Sequence, residues 1–272
     1  MPLITITRGS LSASQKLAEE LSKELDCIVV KREEIINHAK VYGMEETGLA
    51  SIGFMEKERP HFWDRHAAER RLYLIFLKAS LLDYMVKGNV IYVGHFGQFV
   101  LSDVPKLLRI RVDASIDFRI HALMKESNLP EDEAREHIQQ IDSRRRDWAK
   151  FLYGADYDSS LNYDMVLNRE HMSLESQAKA IAVVVKYPEW ALDDESMRTI
   201  KNIHLASIVL AHLARSPRTR GMELAVDCDS QSGNTRIRGM SPMVGAQVWE
   251  QDIKDIAGEV EGVSAIEIAD LR

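Results

Sequence analysis

Cysteine is nearly absent: 272 residues carry only Cys27 and Cys228. Two thiols so far apart make neither a disulfide framework nor a zinc cluster, and their scarcity fits a reducing compartment. Long hydrophobic runs are missing too. The most apolar stretch, Leu72–Val86, contains Lys78 and Asp83 and follows Arg70 and Arg71. It falls short of the roughly 18 uncharged residues expected of a membrane span. The opening MPLITITRGSLS has too short an apolar run for a secretory signal. A cytoplasmic protein without a transmembrane segment is expected. There is no excess of positive charge: Lys and Arg number 35 against 42 Asp and Glu, a net charge of −7. That argues against a nucleic-acid partner, because such binding relies on clustered basic charge. It leaves room for a local basic site that grips a phosphate. No internal repeat is visible.

What remains is an ordinary globular mix, 45% hydrophobic and 28% charged, long enough for about two domains. Leu3–Thr7, Cys27–Val30, Asn89–Val93, Leu107–Val112 and Asp164–Leu167 are short apolar runs that read as buried strands. Helical patterns separate them. Ser12 or Ser14 is placed to cap a first helix bearing Leu17 and Leu21, and 31–65 is helical in pieces. A long helix spans His66–Lys87 and ends at Gly88. Two more follow, at Ile116–Ser127 and about Pro130–Leu152, and Ser173 caps a last one, Leu174–Val185. Strands that alternate with helices and are apolar throughout predict a parallel five-stranded sheet covered on both faces, an α/β doubly wound fold.

The pattern changes at Tyr187–Glu195. A helix at about Ser196–Ala214, a hairpin of Glu223–Asp229 and Thr235–Gly239, a helix at about Val244–Val260 and a strand at Val263–Ile268 follow. The expected domains are therefore 1–190 and a small α+β unit at 196–272.

In doubly wound folds ligands bind beyond the carboxyl ends of the strands, where a helix N-terminus offers N–H groups to a phosphate. Arg8–Lys16 (RGSLSASQK) occupies that place after the first strand. A full phosphate loop reads G-x-x-x-x-G-K-[ST], and this segment has one glycine and no Gly-Lys pair. Arg8, Gly9, Ser10, Ser12, Ser14 and Lys16 are candidate phosphate-binding residues. The alternative is a strand–helix turn capped by serine.

ITITRGSLSASQKLAEEL resembles the opening of the cytidylate kinase-like family, a branch of the nucleoside monophosphate kinases with a P-loop NTPase fold. Thr7-Arg8 stands for the family's Ser-Arg, and Leu17, Ala18 and Leu21 for its apolar helix positions. Val90–Leu101 is similar to a segment ending in Gly-Arg-Gly, with Gly94 kept and His95 in place of arginine. Ile110–Arg119 matches the strand and turn into the lid. Ile141–Gly154 carries the lid motif D-x-x-R as Asp142 and Arg145, and Asn162–Asn168 matches N-Y-D-L-x-L-N. The resemblance covers about Met1–Val185. It implies a nucleotide ligand, and ATP with Mg²⁺ if the chain is active, with Arg119, Asp142, Arg144 and Arg145 as catalytic candidates. Arginine's planar, permanently charged fork suits the charge of a transferring phosphoryl group. Asp142 and Arg145 at i, i+3 share a helix face. The plainer reading of this run is an exposed, ion-paired helix surface. Lys31, Arg32, Gly94 and His95 are acceptor-site candidates.

The departures from the family are concentrated at the site. Leu11 and Ala13 carry Cβ atoms where glycine lets the backbone approach a phosphate. Ser14 and Gln15 stand where basic residues are expected, Lys31 where the family is acidic, and His95 where it has arginine. Each lost donor at such a site costs on the order of 10²-fold in rate. The expectation is a degenerate phosphate loop, hence a nucleotide- or anion-binding regulatory module with weak or lost phosphotransfer. The alternative is an active kinase moving the ATP γ-phosphoryl group to a CMP-like acceptor.

Ser196–Arg272 resembles a BON domain, through TRIRGMSP with Gly239 and EGVSAIEI with Gly262. That implies a non-catalytic unit serving regulation, homo-oligomer formation or a protein partner. His61, Asp64 and His66 are the nearest metal-like cluster, but their spacing does not share one helix face, so no metal site is expected. Cys27 sits in an apolar strand, where thiols are inert. The four tryptophans read as packing residues.

Overall fold

A computed structural model describes residues 1–7, 13–44 and 67–270. The expected sheet is present. Strands β1 (Leu3–Thr7), β2 (Ile28–Lys31), β3 (Val90–Gly94), β4 (Leu107–Asp113) and β5 (Met165–Asn168) run in the order β2-β3-β1-β4-β5. Every pairing is parallel. β1 and β3 are buried at every position, which is why they read as continuous apolar runs. β4 instead alternates, with Arg109, Arg111 and Asp113 half-buried between buried Leu108, Ile110 and Val112.

Two helical layers cover the sheet. On one face α1 (Ala13–Leu25) packs with α7 (Leu174–Val184), joining Leu17, Leu21 and Ile181 to Ile4, Ile6 and Leu108 of the strands. The other face carries α2 (Arg32–His38) and the long α3 (Ala67–Met85), whose Phe76, Leu81 and Leu82 pack with Leu3 and Val90. A short helix, α4 (Gly97–Val100), follows β3. Beyond β4, α5 (Ile116–Ser127) and α6 (Glu131–Tyr153) form a hairpin with its own small core of Ile120, Leu123, Ala134 and Ile138. Ser115 caps α5 by accepting from the Phe118 N–H, and Ser173 caps α7 by accepting from that of Ser176. Ser14 lies inside the first turn of α1, not at its cap, and donates its hydroxyl to the Thr7 carbonyl at 3.2 Å.

The C-terminal unit is a three-stranded mixed sheet, β6 (Leu224–Cys228), β7 (Asn234–Gly239) and β8 (Ala265–Asp270), in that order. β6 and β7 form the expected antiparallel hairpin, and β8 pairs parallel to β7. One side is covered by α8 (Asp194–Arg215) and α9 (Ala246–Gly258), with Leu205, Val209, Ile237, Trp249 and Ile253 in the core. α8 starts two residues before the predicted bound because Asp193 and Ser196 form a capping box. β8 starts two residues late: Gly262, at φ +93°, and the Val263 N–H to Val260 carbonyl bond turn the chain first. α8 faces both ways. Ile200, Ala211 and Ala214 enter the core around α3, while Leu205, Val209 and Leu213 enter the small one. No described helix is long and apolar enough to cross a membrane.

Candidate functional site

β3 and β4 flank β1, so the chain passes from one side of the sheet to the other beside β1. In doubly wound folds that switch point is where a crevice opens. A cavity of about 320 Å³ lies there, floored by Thr7 of β1 and by Ala13 and Ser14 of α1. The end of β4, the α5–α6 hairpin and the segment after β5 wall it. Six basic side chains line it: Lys16, Arg111, Arg119, Arg145, Arg146 and Arg169. Four carboxylates accompany them, Asp113, Glu126, Asp142 and Asp158.

Most of the ion pairs cross between elements. Arg119 Nη2 of α5 lies 2.6 Å from Asp142 Oδ2 of α6, with both side chains largely buried. Arg111 Nη2 lies 3.1 Å from Asp113 and 3.0 Å from Asp158. Its Nη1 donates to the Tyr157 carbonyl at 3.3 Å, and its guanidinium stands 5.7 Å from the rings of Tyr157 and Tyr163. Burial alone would lower the Arg111 pKa; Asp113, Tyr163 and Asp158 outweigh it and raise it. Lys16 Nζ reaches Glu126 of α5 at 3.7 Å, an exposed contact.

Behind the floor runs a buried polar chain. Thr7 Oγ1 donates to Gln98 Oε1 at 3.1 Å, Gln98 Nε2 donates to Tyr163 Oη at 3.1 Å, and that hydroxyl donates to the Tyr157 carbonyl at 3.1 Å. It links the end of β1 to α4 and to the segment that returns from the α5–α6 hairpin to β5. Burial raises the Tyr163 and Tyr157 phenols, so both stay protonated at neutral pH.

Of the residues singled out in the sequence, Ser14, Lys16, Arg119, Asp142 and Arg145 come together on this cavity. Asp142 grips Arg119 rather than an arginine of its own helix. Arg144 is not part of the lining; its Nε donates to the Gln140 carbonyl at 3.2 Å. Lys31, Arg32, Gly94 and His95 also lie off it. Lys31 ends β2 with its Nζ 3.7 Å from Glu19, and Arg32 is buried. Gly94 ends β3, where a Cβ would fall 2.0 Å from Tyr92 Oη. Arg8, Gly9, Ser10, Leu11 and Ser12 lie outside the described residues, as do His61, Trp63, Asp64 and His66. Among the described residues no His, Cys, Asp and Glu group is arranged to hold a metal. Trp148 and Trp249 are buried in cores.

Sequence reasoning missed Arg111, Asp113, Asp158 and Arg169. The signal for the first two was present: Arg109, Arg111 and Asp113 alternate through a strand, which sets them on one side of it. Asp158 and Arg169 gave no such signal, because loop positions have no period.

Residues 3–171 match the model of the cytidylate kinase-like family. A cytidylate kinase from Sulfurisphaera tokodaii is 24% identical over 187 residues, spanning 68% of this chain and 96% of that protein. Among solved structures, an uncharacterized protein from Eubacterium ventriosum superposes with a TM-score of 0.52 at 16% identity, covering 68% of this chain and 97% of its own. A shikimate kinase from Bacteroides thetaiotaomicron aligns over 69% of this chain and 100% of its own, at 10% identity and a TM-score of 0.42. With its family match over most of the length and the five-stranded parallel sheet in place, this chain belongs to the cytidylate kinase-like family.

Proposed function

We propose that the chain binds a nucleotide or another phosphate-bearing anion in the cavity beyond β1 and β4, with phosphoryl transfer weakened or lost. The observation that carries this reading is the convergence of six basic side chains from α1, β4, α5, α6 and the segment after β5 on one cavity. Separate elements contribute them, so they are not one exposed charged helix face. Arginine forks at the end of a rigid strand and on a hairpin suit a polyphosphate, which accepts bidentate bonds on several oxygens.

The loss of transfer rests on the sequence of the site. Ala13 lines the cavity with a side chain where the family has glycine. The basic residue nearest to the loop's end, Lys16, is exposed and turned to Glu126. Mg²⁺ takes oxygen ligands, and carboxylates and the Ser14 hydroxyl supply that chemistry here. Each of the four carboxylates is already engaged by an arginine or lysine. Ser14 and these carboxylates would hold the ion only beside ligand phosphates, and when bound it would neutralise their charge.

A second reading is an active kinase for a CMP-like acceptor. The Arg119–Asp142 pair favours it, because a held arginine on the lid is what stabilising a transferring phosphoryl group requires. The relative named as a cytidylate kinase, aligned over nearly its whole length, favours it as well. The C-terminal unit has the helix–strand–strand–helix–strand order of a BON-like domain. We assign it a regulatory or oligomerising part, with α8 as its link to the α/β unit.

The test is thermal stabilisation by ATP and by a panel of nucleoside monophosphates, with and without Mg²⁺, beside turnover assays at high protein concentration. Stabilisation with little product is expected. Rapid product formation selects the second reading, and no stabilisation by any nucleotide defeats both.

A further inference from the structure

Asp158 lies between the Ile141–Gly154 and Asn162–Asn168 motifs and belongs to neither, yet two of the cavity's arginines meet on it. Its Oδ1 lies 3.0 Å from Arg111 Nη2 and its Oδ2 3.3 Å from Arg146 Nη1. The two arginines come from different bodies. Arg111 extends from β4, with its side chain 16% exposed, and is held by Asp113 and the Tyr157 carbonyl. Arg146 extends from α6 of the lid hairpin and is half exposed. Each takes one oxygen of the same carboxylate. That is the arrangement a pair of phosphoryl oxygens receives from two guanidinium groups.

We infer that Asp158 is an internal competitor for the anionic ligand, seated in an arginine pair that the ligand takes over. The inference rests on the anion-binding reading above and adds a specificity determinant to it. Binding becomes an exchange: the Asp158 carboxylate leaves Arg111 and Arg146, and ligand oxygens replace it. A carboxylate carries one negative charge, whereas a pyrophosphate or triphosphate carries several. The exchange is therefore favourable for highly charged ligands and close to neutral for monoanions. Asp158 thereby sets a charge threshold on the site. Asp113 does not serve this way, because among the cavity's basic groups it pairs with Arg111 alone and sits on the same rigid strand. The contact with Asp158 also ties α6 to β4, so the same exchange frees the lid hairpin from the sheet.

A purely structural Asp158 makes the opposite forecast. If it only braces the hairpin, neutralising it loosens the arginines and weakens binding. The experiment is calorimetric titration of the full chain with pyrophosphate and with ATP, comparing wild type, Asp158→Asn, Asp158→Ser and the double variant Asp158→Asn/Arg111→Gln. Thermal melts confirm that each is folded; two replacements of different shape guard against a misfolded one. The expected result is pyrophosphate binding about tenfold tighter in both single variants, from releasing two partly exposed ion pairs. The gain is expected to vanish in the double variant. Tightening even where the wild type binds weakly supports the competitor role. ATP binding by the wild type with equal or weaker pyrophosphate binding in the variants overturns it while leaving the anion site standing. No binding of either probe by any of the proteins overturns both.

Discussion

Arg119 of α5 and Asp142 of α6 meet across the α5–α6 hairpin, Nη2 to Oδ2 at 2.6 Å, with side chains only 17% and 23% exposed. Both line the cavity, so the pair fixes where one positive charge stands at its wall. The two residues have different jobs in that arrangement. On the proposed anion-binding reading, Arg119 presents the charge and Asp142 orients it. Arg119→Gln is expected to weaken nucleotide binding about tenfold or more, and Asp142→Asn by less, because the arginine survives with a poorer partner. Each is expected to cost about 1 kcal/mol of stability, a melting shift of roughly 2–4 °C. Binding titrations and melts on the two single variants check the ranking; equal binding losses would show that Asp142 does more than orient.

The Thr7–Gln98–Tyr163 chain gives a second expectation. Gln98 is 3% exposed and uses both ends of its amide, accepting from Thr7 and donating to Tyr163. Gln98→Leu keeps approximate volume but strips both hydroxyls of that partner. Unsatisfied buried groups cost about 1–3 kcal/mol, so melting is expected to fall by several degrees. Gln98→Glu is expected to be worse, because a carboxylate only accepts, and its charge is buried. Melting curves of the two variants decide it; a Gln98→Leu protein as stable as wild type would show that the chain is dispensable.

The central strands β1 and β3 were legible because both of their faces are buried. β1 and β3 have no polar side to disguise the apolar run. Ser173 was legible as a cap because a serine before an apolar-periodic run has one common use. The residues that complete the cavity were harder to see. Arg111 and Asp158 are far apart in sequence and meet only through the fold. Phe96 gave no warning that it would take a left-handed backbone at φ +61°, which bulky side chains disfavour. That turn starts α4 and sets Gln98 beneath the cavity floor. The double role of α8 was also hidden, because an amphipathic pattern reports apolar faces without saying which core each one enters.

Gly94 offers a steric prediction. A Cβ at this position would lie 2.0 Å from Tyr92 Oη and 2.3 Å from its Cζ. Tyr92 is 1% exposed, so its ring has little freedom to move away. Gly94→Ala is expected to destabilise by about 1–3 kcal/mol through overpacking. Tyr92→Phe should not rescue it, since Cζ remains in the way, whereas Tyr92→Leu should recover part of the loss. Denaturant unfolding of the single and double variants measures the coupling. A rescue by phenylalanine would show that only the hydroxyl is in conflict.

Cys27 is 5% exposed, and burial with the adjacent Asp26 charge pushes its thiol up to about 11. Nucleophilic chemistry needs the thiolate. Alkylation of the native protein at pH 8 is therefore expected to leave Cys27 unmodified on the scale of an hour and to label it at once in denaturant. Mass spectrometry of the labelled peptides reads the result, and rapid native labelling would mean that the turn between α1 and β2 opens locally.

Asp83 of α3 joins three elements on one carboxylate. Tyr42 donates to its oxygens at 2.8 and 2.7 Å, His38 Nε2 lies 2.7 Å away, and His204 Nε2 of α8 lies 2.6 Å away. An ionised carboxylate only accepts, so both imidazoles donate through Nε2. Burial pushes the Asp83 carboxyl up, but hydrogen bonds from His204, Tyr42 and His38 outweigh it, and the pKa falls below the usual carboxylate range. A pKa depressed on folding gives stability that is present above the unfolded value, near 4, and is lost as pH falls through the folded value. Asp83→Asn is therefore expected to lower stability fully at pH 7 and at pH 5. The gap to wild type should narrow below about pH 4, as the wild-type carboxyl takes up its proton. Hydrogen exchange at pH 7 should quicken in 32–42 and in 194–215 together, because one carboxylate ties both to α3. Denaturant curves across that pH series give the sign, and a gap that stays constant down to pH 3 would show that the charge of Asp83 contributes nothing to the joint.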